Sequence, residues 1–165
     1  MARYLTYKSY LDLQRLLSVQ TKKIGTILQE ADLITDSEIS SALQIQVSTP
    51  HLKLGEILAQ RNSIKPETAD FFAQEWSKIV IQPEKDALGY YLKQAALLDR
   101  EQIEIILREQ RSTGIRFGTV AVFQGFLKST TLDFFLANLF PEESDVSPFI
   151  NMYRSPFQIK PSSDR

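Results

Sequence analysis

Glycine recurs in this chain at one phase of a hydrophobic pattern, and that recurrence restricts the fold more than any other feature. Lys23-Ile-Gly25, Lys53-Leu-Gly55, Ala87-Leu-Gly89 and Arg116-Phe-Gly118 each open a segment whose apolar residues fall at offsets +3, +8, +9, +14 and +18 from the glycine, most of them kept in each. The first segment runs Leu28, Leu33-Ile34, Ile39, Leu43 and Gln46, and the second Leu58, Ile64, Ala69, Ala73 and Trp76. The third runs Leu92, Leu97-Leu98, Ile103, Leu107 and Gln110, and the fourth Ala121, Phe126-Leu127, Leu132, Leu136 and Leu139. The glycines stand 30, 34 and 29 residues apart, and the longer middle gap, around Ile81-Gln82-Pro83-Glu84-Lys85, divides the four into two pairs. Self-similarity at such a period marks stacked supersecondary units that bury a common core.

Each unit reads as a short helix, a tight turn and a longer helix. Offsets +14, +18 and +21 are spaced by four and three, which is one face of a helix. Thr35-Asp36-Ser37-Glu38 fits a capping box, and Asp99-Arg100-Glu101-Gln102 fits its Asp/Gln variant. Pro66 suits the first turn of a helix, and Ser129-Thr130-Thr131 offers side chains that cap one. The first helix of each unit is expected to end near offset +7, at Asp32, Asn62, Ala96 and Gly125. Asp, Asn and Gly tolerate a left-handed cap and Ala does not, so the third turn is expected to differ.

The resulting expectation is an all-α fold: four helix-turn-helix repeats arranged as two pairs over residues 22–80 and 81–140. An amphipathic N-terminal helix over residues 1–21 carries Leu5, Tyr10, Leu13, Leu16 and Leu17, and an extended tail spans residues 141–165. Pro141, Pro148, Pro156 and Pro161 prevent a long helix in that tail.

Composition removes several classes of function. The chain of 165 residues has no cysteine and one histidine, His51, so thiolate metal sites, disulfide scaffolds and Cys nucleophiles are excluded. With 19 Lys and Arg against 20 Asp and Glu, the charge balance does not favour binding to a nucleic-acid polymer. No apolar run approaches a transmembrane span, and the N-terminus lacks a signal-peptide core. A cytoplasmic protein is expected. The scattered carboxylates Glu84, Asp86, Asp99, Glu101, Glu104 and Glu109 show no partner base or nucleophile arrangement, and His51 has no second ligand at a matching spacing. The expectation is therefore no catalysis, no metal and no cofactor.

The pattern of a basic residue, an apolar residue and Gly, followed by Leu, Leu-Ile and Leu…Leu…Gln, resembles the MshEN-type N-terminal domain of type II secretion and type IV pilus assembly ATPases. The resemblance covers Lys22 to Phe140, as two tandem and degenerate domains without the ATPase portion. It implies a ligand, cyclic di-GMP, which some members of that family bind through these motifs. The implied positions are Lys23, Gly25, Leu28 and Gln46; Lys53, Gly55 and Leu58; Gly89, Leu92 and Gln110; and Arg116 and Gly118. Ala87 replaces the basic residue in the third motif, and Trp76 and Leu139 replace the glutamine in the second and fourth. A phosphate without its cation forgoes a charge-assisted hydrogen bond of about 1.5–3 kcal/mol.

Each of these residues also has an ordinary role. The glycines permit either close helix packing or the approach of a phosphate to the backbone; packing is favoured, because all four glycines are kept while the polar partners scatter. Lys22, Lys23 and Lys53 suit a solvated surface as well as an anion. Gln46 and Gln110 suit a polar helix end as well as a base edge. Trp76 fills core space or stacks on a purine. In the tail, Phe149, Ile150, Met152, Tyr153 and Phe157 suit a segment that docks on a protein partner, or one that wraps the chain's own apolar surface. Two readings follow. The first is a non-enzymatic adaptor or assembly subunit of a larger complex, cytoplasmic or peripheral to a membrane-associated complex. The second is a cyclic di-GMP receptor linked to type IV pilus or secretion machinery.

Overall fold

A computed structural model of the chain describes Leu13, Leu17 and residues 21–141. It is all-α, with no strand among the described residues. Leu13, Leu17 and Thr21 are helical; the rest of the expected N-terminal helix, and the tail beyond Pro141 with Phe149, Ile150, Met152, Tyr153 and Phe157, lie outside the described residues. Eight helices follow. Short and long ones alternate: α1 Ile24–Glu30, α2 Asp36–Ser48, α3 Leu54–Gln60, α4 at 66–81, α5 Leu88–Gln94, α6 Arg100–Thr113, α7 Phe117–Phe123 and α8 Ser129–Leu139.

The four short helices are alike in detail. Each has seven residues and starts just before its glycine. Each follows an extended N-cap, Lys23, Lys53, Ala87 or Arg116, whose side chain makes no capping bond. Each ends in a left-handed residue: Asp32 at φ 55°, Asn62 at 57°, Ala96 at 53° and Gly125 at 71°. One residue later a backbone N–H reaches back over the turn, from Leu33 to Leu28 O, Ser63 to Leu58 O, Leu97 to Leu92 O and Phe126 to Ala121 O, at 2.9–3.0 Å. This six-to-one bond defines the Schellman closure. The expectation that Ala96 would break the pattern is corrected. Alanine takes the left-handed conformation despite its Cβ, because tertiary contacts over the turn outweigh a local cost of about 1–2 kcal/mol.

The long helices begin largely as their sequences require. Thr35 and Glu38 form a reciprocal capping box, as do Asp99 and Gln102, and Pro66 opens α4. The expected cap of Ser129-Thr130-Thr131 is not made: Lys128 is the N-cap of α8 and contributes no side-chain cap. The two threonines bond elsewhere. Thr131 Oγ1 donates to Ala31 O at 2.8 Å, Thr130 Oγ1 to Asp32 Oδ2 at 2.6 Å, and Lys128 Nζ to Asp32 O at 2.9 Å. The start of α4 does the same to the turn after α5: Thr68 Oγ1 donates to Ala95 O at 2.7 Å and Lys65 Nζ to Ala96 O at 3.0 Å. Those carbonyls follow the last helical bonds and have no acceptor role inside their own turns, so the distant donors satisfy them. Thr68 and Thr131 are the buried polar side chains among the described residues.

A sequence signal accompanies these bonds. Lys-x-x-Thr-x-Asp-Phe-Phe occurs at 65–72 and again at 128–135. Its aromatic ends meet where α4 crosses α8. Phe71 stacks on Phe135 at 6.5 Å between centroids, and Trp76 on Phe134 at 5.0 Å. Alpha-helix α4 widens into a π turn over Phe71–Glu75, where Trp76 N–H bonds to Phe71 O. The extra residue per turn returns Trp76 to the face that holds Phe71 and Phe72. Trp76 is therefore core, 1% exposed.

The long-helix core stripe departs from expectation by one residue. Offset +17, not +18, is deepest: Ala42, Phe72, Ile106 and Phe135 are all buried. Leu43 and Ala73 are exposed, and Leu107 and Leu136 half-buried. Two neighbouring apolar positions lie 100° apart on a helix, so a pattern containing both does not say which faces inward. A single apolar cluster runs from Ile27 to Leu139 through both halves of the chain.

Candidate functional site

The motif glycines are packing positions first. A Cβ on Gly25 would lie 2.5 Å from Ile39 Cδ1, and one on Gly118 2.6 Å from Leu132 Cδ1. Both partners sit at offset +14 of the same unit, so the glycine lets the short helix lie directly on the long one. Gly55 faces Ala69 in the same way, at 3.1 Å. Leu28, Leu58 and Leu92 are fully buried beneath these helices. They present no surface to a ligand and instead hold the short helices down.

The polar candidates separate into two groups. Lys23 and Lys53 are exposed N-caps. Gln46 is occupied: its Nε2 donates to Leu52 O at 3.1 Å and braces the link from α2 to α3. Gln110, Arg116 and Gly118, by contrast, come together in one groove of about 590 Å³, whose walls include Leu88, Phe117, Leu136 and Phe140. Among the described residues no hydrogen bond or ion pair engages the side chain of Gln110 or Arg116. A second depression of about 450 Å³ adjoins the first, shares Leu88, Gln110 and Phe117 with it, and adds Gly89, Tyr90, Lys93, Ile103 and Leu107. The Phe117 ring divides the two. Its Cζ would be 2.9 Å from a Cβ on Gly89, so Gly89 admits the ring against α5.

The groove follows from how its elements are built. Extended N-caps at Ala87 and Arg116 lead into α5 and α7, and both residues line the groove. Leu107 and Leu136, at the +18 position that the core does not take, face this surface. The site is thus carbon-walled, with the amide of Gln110 and the cations of Arg116 and Lys93 along it. It can hold an apolar segment that carries acidic groups. Among the described residues no group of three His, Asp or Glu side chains could hold a metal ion, and no helix is long and apolar enough to cross a membrane.

A polar cluster lies at the start of α8, at the clasp. The Thr130 hydroxyl holds the pKa of Asp32 below its ordinary range, opposed by partial burial and aided by Lys128 at 3.5 Å. The Thr35 backbone N–H and hydroxyl do the same for Glu38, with smaller help from Ser63 and Lys128. Sequence reasoning missed this clasp. The signal was present in the repeated Lys-x-x-Thr-x-Asp-Phe-Phe, and in alanine at Ala31 and Ala95 where the other two turns carry the exposed Arg61 and Gln124.

Among the described residues, fold and site together define an all-helical structure with two clasped turns, an aromatic centre and an open apolar groove. No family model matches the chain, and no solved structure matches it. It is similar to an uncharacterized protein of Picosynechococcus sp. (strain PCC 7002), with 41% identity over 116 residues, or 70% of this chain. The match spans 63% of that protein's length.

Proposed function

We propose that this chain is a non-enzymatic interaction subunit, an adaptor within a larger cytoplasmic or membrane-peripheral assembly, which binds its protein partner in the α5–α8 groove. The scaffold, on this reading, is two tandem MshEN-like pairs of helix-turn-helix repeats, related by the two Lys-x-x-Thr clasps. The supporting observation is the groove itself. Leu88, Phe117, Leu136 and Phe140 wall an open surface along which the side chains of Gln110 and Arg116 make no hydrogen bond or ion pair among the described residues. Exposed apolar grooves rimmed by polar groups are typical of docking sites. Leu88→Lys and Leu136→Lys place a charge in the groove. Each is expected to lose the partner recovered by affinity purification from the native cell, with an unchanged helical circular-dichroism signal. Full recovery with both variants would refute the groove's role.

A second reading is a receptor for cyclic di-GMP. It is favoured by one observation, that Gln110, Arg116 and Gly118 line a single groove, as the MshEN resemblance implies for a ligand site. Of the basic residues that the resemblance implies, Arg116 lines the groove while Lys23 and Lys53 are not among its walls, which is why this reading stands second. A receptor would gain about 2.7 kcal/mol of stability at a hundredfold excess of ligand over Kd, and Arg116→Ala would remove the gain. No shift of the melting curve with cyclic di-GMP ends this reading.

A further inference from the structure

We infer that the occupant of the α5–α8 groove is an acidic amphipathic helix of the partner protein. It sets large apolar side chains on either side of the Phe117 ring and a carboxylate against Arg116 and Lys93. This rests on the reading of the groove as a docking site and names the chemistry of what docks.

The first half of the chain serves as an internal comparison. Gly25 meets Leu54 as Gly89 meets Phe117: a Cβ on each glycine would lie 3.1 Å from Leu54 Cδ2 and 2.9 Å from Phe117 Cζ. The short helices therefore pack alike in both halves, and the residues around them differ. At offsets +14 and +18 the second repeat has Ala69 and Ala73 where the fourth has Leu132 and Leu136. The short-helix packing does not call for a large side chain at +18, since Ala73 is exposed there, yet Leu136 is half-buried on the groove wall.

Charge differs as well. Glu56, one residue after its glycine, accepts the Lys53 backbone N–H at 2.7 Å, and Thr119 takes that place in the fourth repeat. The cation at −2 in the first repeat, Lys23, is Ala87 in the third, where a cation stands instead at +4: Lys93 replaces Gln29. The described residues that line the two depressions thus include Arg116 and Lys93 and no carboxylate, in a chain whose net charge is −1. Complementary charge favours an acidic occupant and rejects a basic one.

Backbone chemistry selects a helix. The walls are side chains of helices, and no strand edge exists among the described residues. An extended segment would press its own N–H and C=O groups against carbon with nothing to pair them. A helix pairs those groups internally and presents anchors three or four residues apart, with Cβ atoms separated by about 5–6 Å. The two depressions share Leu88 and Phe117, so neighbouring anchors fall on either side of the ring.

The test assumes no partner sequence. A displayed library of random linear peptides is panned on the full chain, and the winners are synthesised. They are expected to carry two large apolar residues three or four positions apart with Asp or Glu beside them, and to lose binding to Leu88→Lys and Leu136→Lys. Arg116→Glu changes an exposed side chain and leaves the carbon walls in place. It should weaken the winners about fivefold, the worth of an exposed ion pair, and the loss should shrink in high salt. Exchanging the peptide's acid for Lys should restore binding to Arg116→Glu. Winners that need Leu88 and Leu136 but lack the acid or the helical spacing, or that bind Arg116→Glu as tightly as the unaltered chain, would overturn the inference and leave the groove a docking site. A concentration-dependent dimer in sedimentation, abolished by Leu136→Lys, would overturn it in favour of a second copy as the occupant. Winners indifferent to both leucine variants, or no winners, would defeat the docking reading itself.

Discussion

Thr131 donates its hydroxyl hydrogen to the backbone carbonyl of Ala31 at 2.8 Å across 100 positions of sequence, and both residues are buried. Thr68 stands in the same relation to Ala95. Each bond ties the start of one long helix to the left-handed turn after a distant short one. Thr131→Val keeps the shape and removes the donor, leaving a buried carbonyl without a partner. It should destabilise the protein by about 1–3 kcal/mol, read from the midpoint of urea unfolding, and Thr68→Val by a similar amount. Unchanged midpoints for both would show that the clasps contribute nothing.

Ala96 is the alanine held at positive φ. Glycine there removes the Cβ strain of about 1–2 kcal/mol, partly offset by its greater freedom in the unfolded chain, about 0.5–1 kcal/mol. Ala96→Gly should therefore raise thermal stability, while Ala95→Gly, one residue earlier at φ −73°, should lower it. Opposite signs at adjacent alanines are the expected signature.

Gly118→Ala and Gly25→Ala add a methyl that must displace Leu132 or Ile39. Overpacking costs typically about 1–3 kcal/mol, and the helix-propensity gain of about 1 kcal/mol offsets only part of it. Both variants should be less stable in thermal melts. A rise in melting temperature at either site would mean that the long helix can move aside freely, against the packing assigned to these glycines.

Asp32 and Glu38 have pKa values lowered by the bonds they accept. A carboxyl depressed in the folded state stabilises it above the unfolded pKa, and loses that contribution as pH falls through the folded value. Stability should thus decline below about pH 4, where unfolded Asp and Glu begin to take up protons. Asp32→Asn, which keeps a residue tolerant of the left-handed turn, should flatten this acid limb in denaturation profiles from neutral to acidic pH. Because Asp32 and Lys128 are largely exposed, the change should be small and should shrink further in high salt. An acid limb that is identical in the variant would remove Asp32 from the account.

Trp76 is the single tryptophan and sits where α4 meets α8, 1% exposed. Its emission should be that of a buried indole, and its unfolding should coincide with loss of the far-ultraviolet helical signal, since one cluster links both halves. Two separated transitions would mean that the halves unfold independently.

Local features were legible at several points where a residue type acts within its own turn. The capping boxes at Thr35 and Asp99, the proline that opens α4 and the alternation of short and long helices all follow from the chain nearby, because caps and periodicity act over three or four residues. The candidate site was legible only in fragments. Gln110, Arg116 and Gly118 were marked by the pattern, but so were Gln46, which turned out to be a brace, and Leu28, Leu58 and Leu92, which are core. The repeated Lys-x-x-Thr-x-Asp-Phe-Phe was in plain sight, yet its role is invisible without knowing which turns it touches.

By itself, then, the order of residues determined the helices, the capped starts of α2 and α6, and the glycines that let α1, α3 and α7 lie close on a long helix. Tertiary structure decided which apolar offset faces inward, that Ala96 is driven left-handed, that Thr130 and Thr131 bond across the molecule and do not cap α8, and that one surface stays open between Phe117 and Phe140. The physical reason is range. Helix periodicity and capping are settled between near neighbours, whereas the burial of a carbonyl or the opening of a groove depends on surfaces that meet only after distant segments have packed.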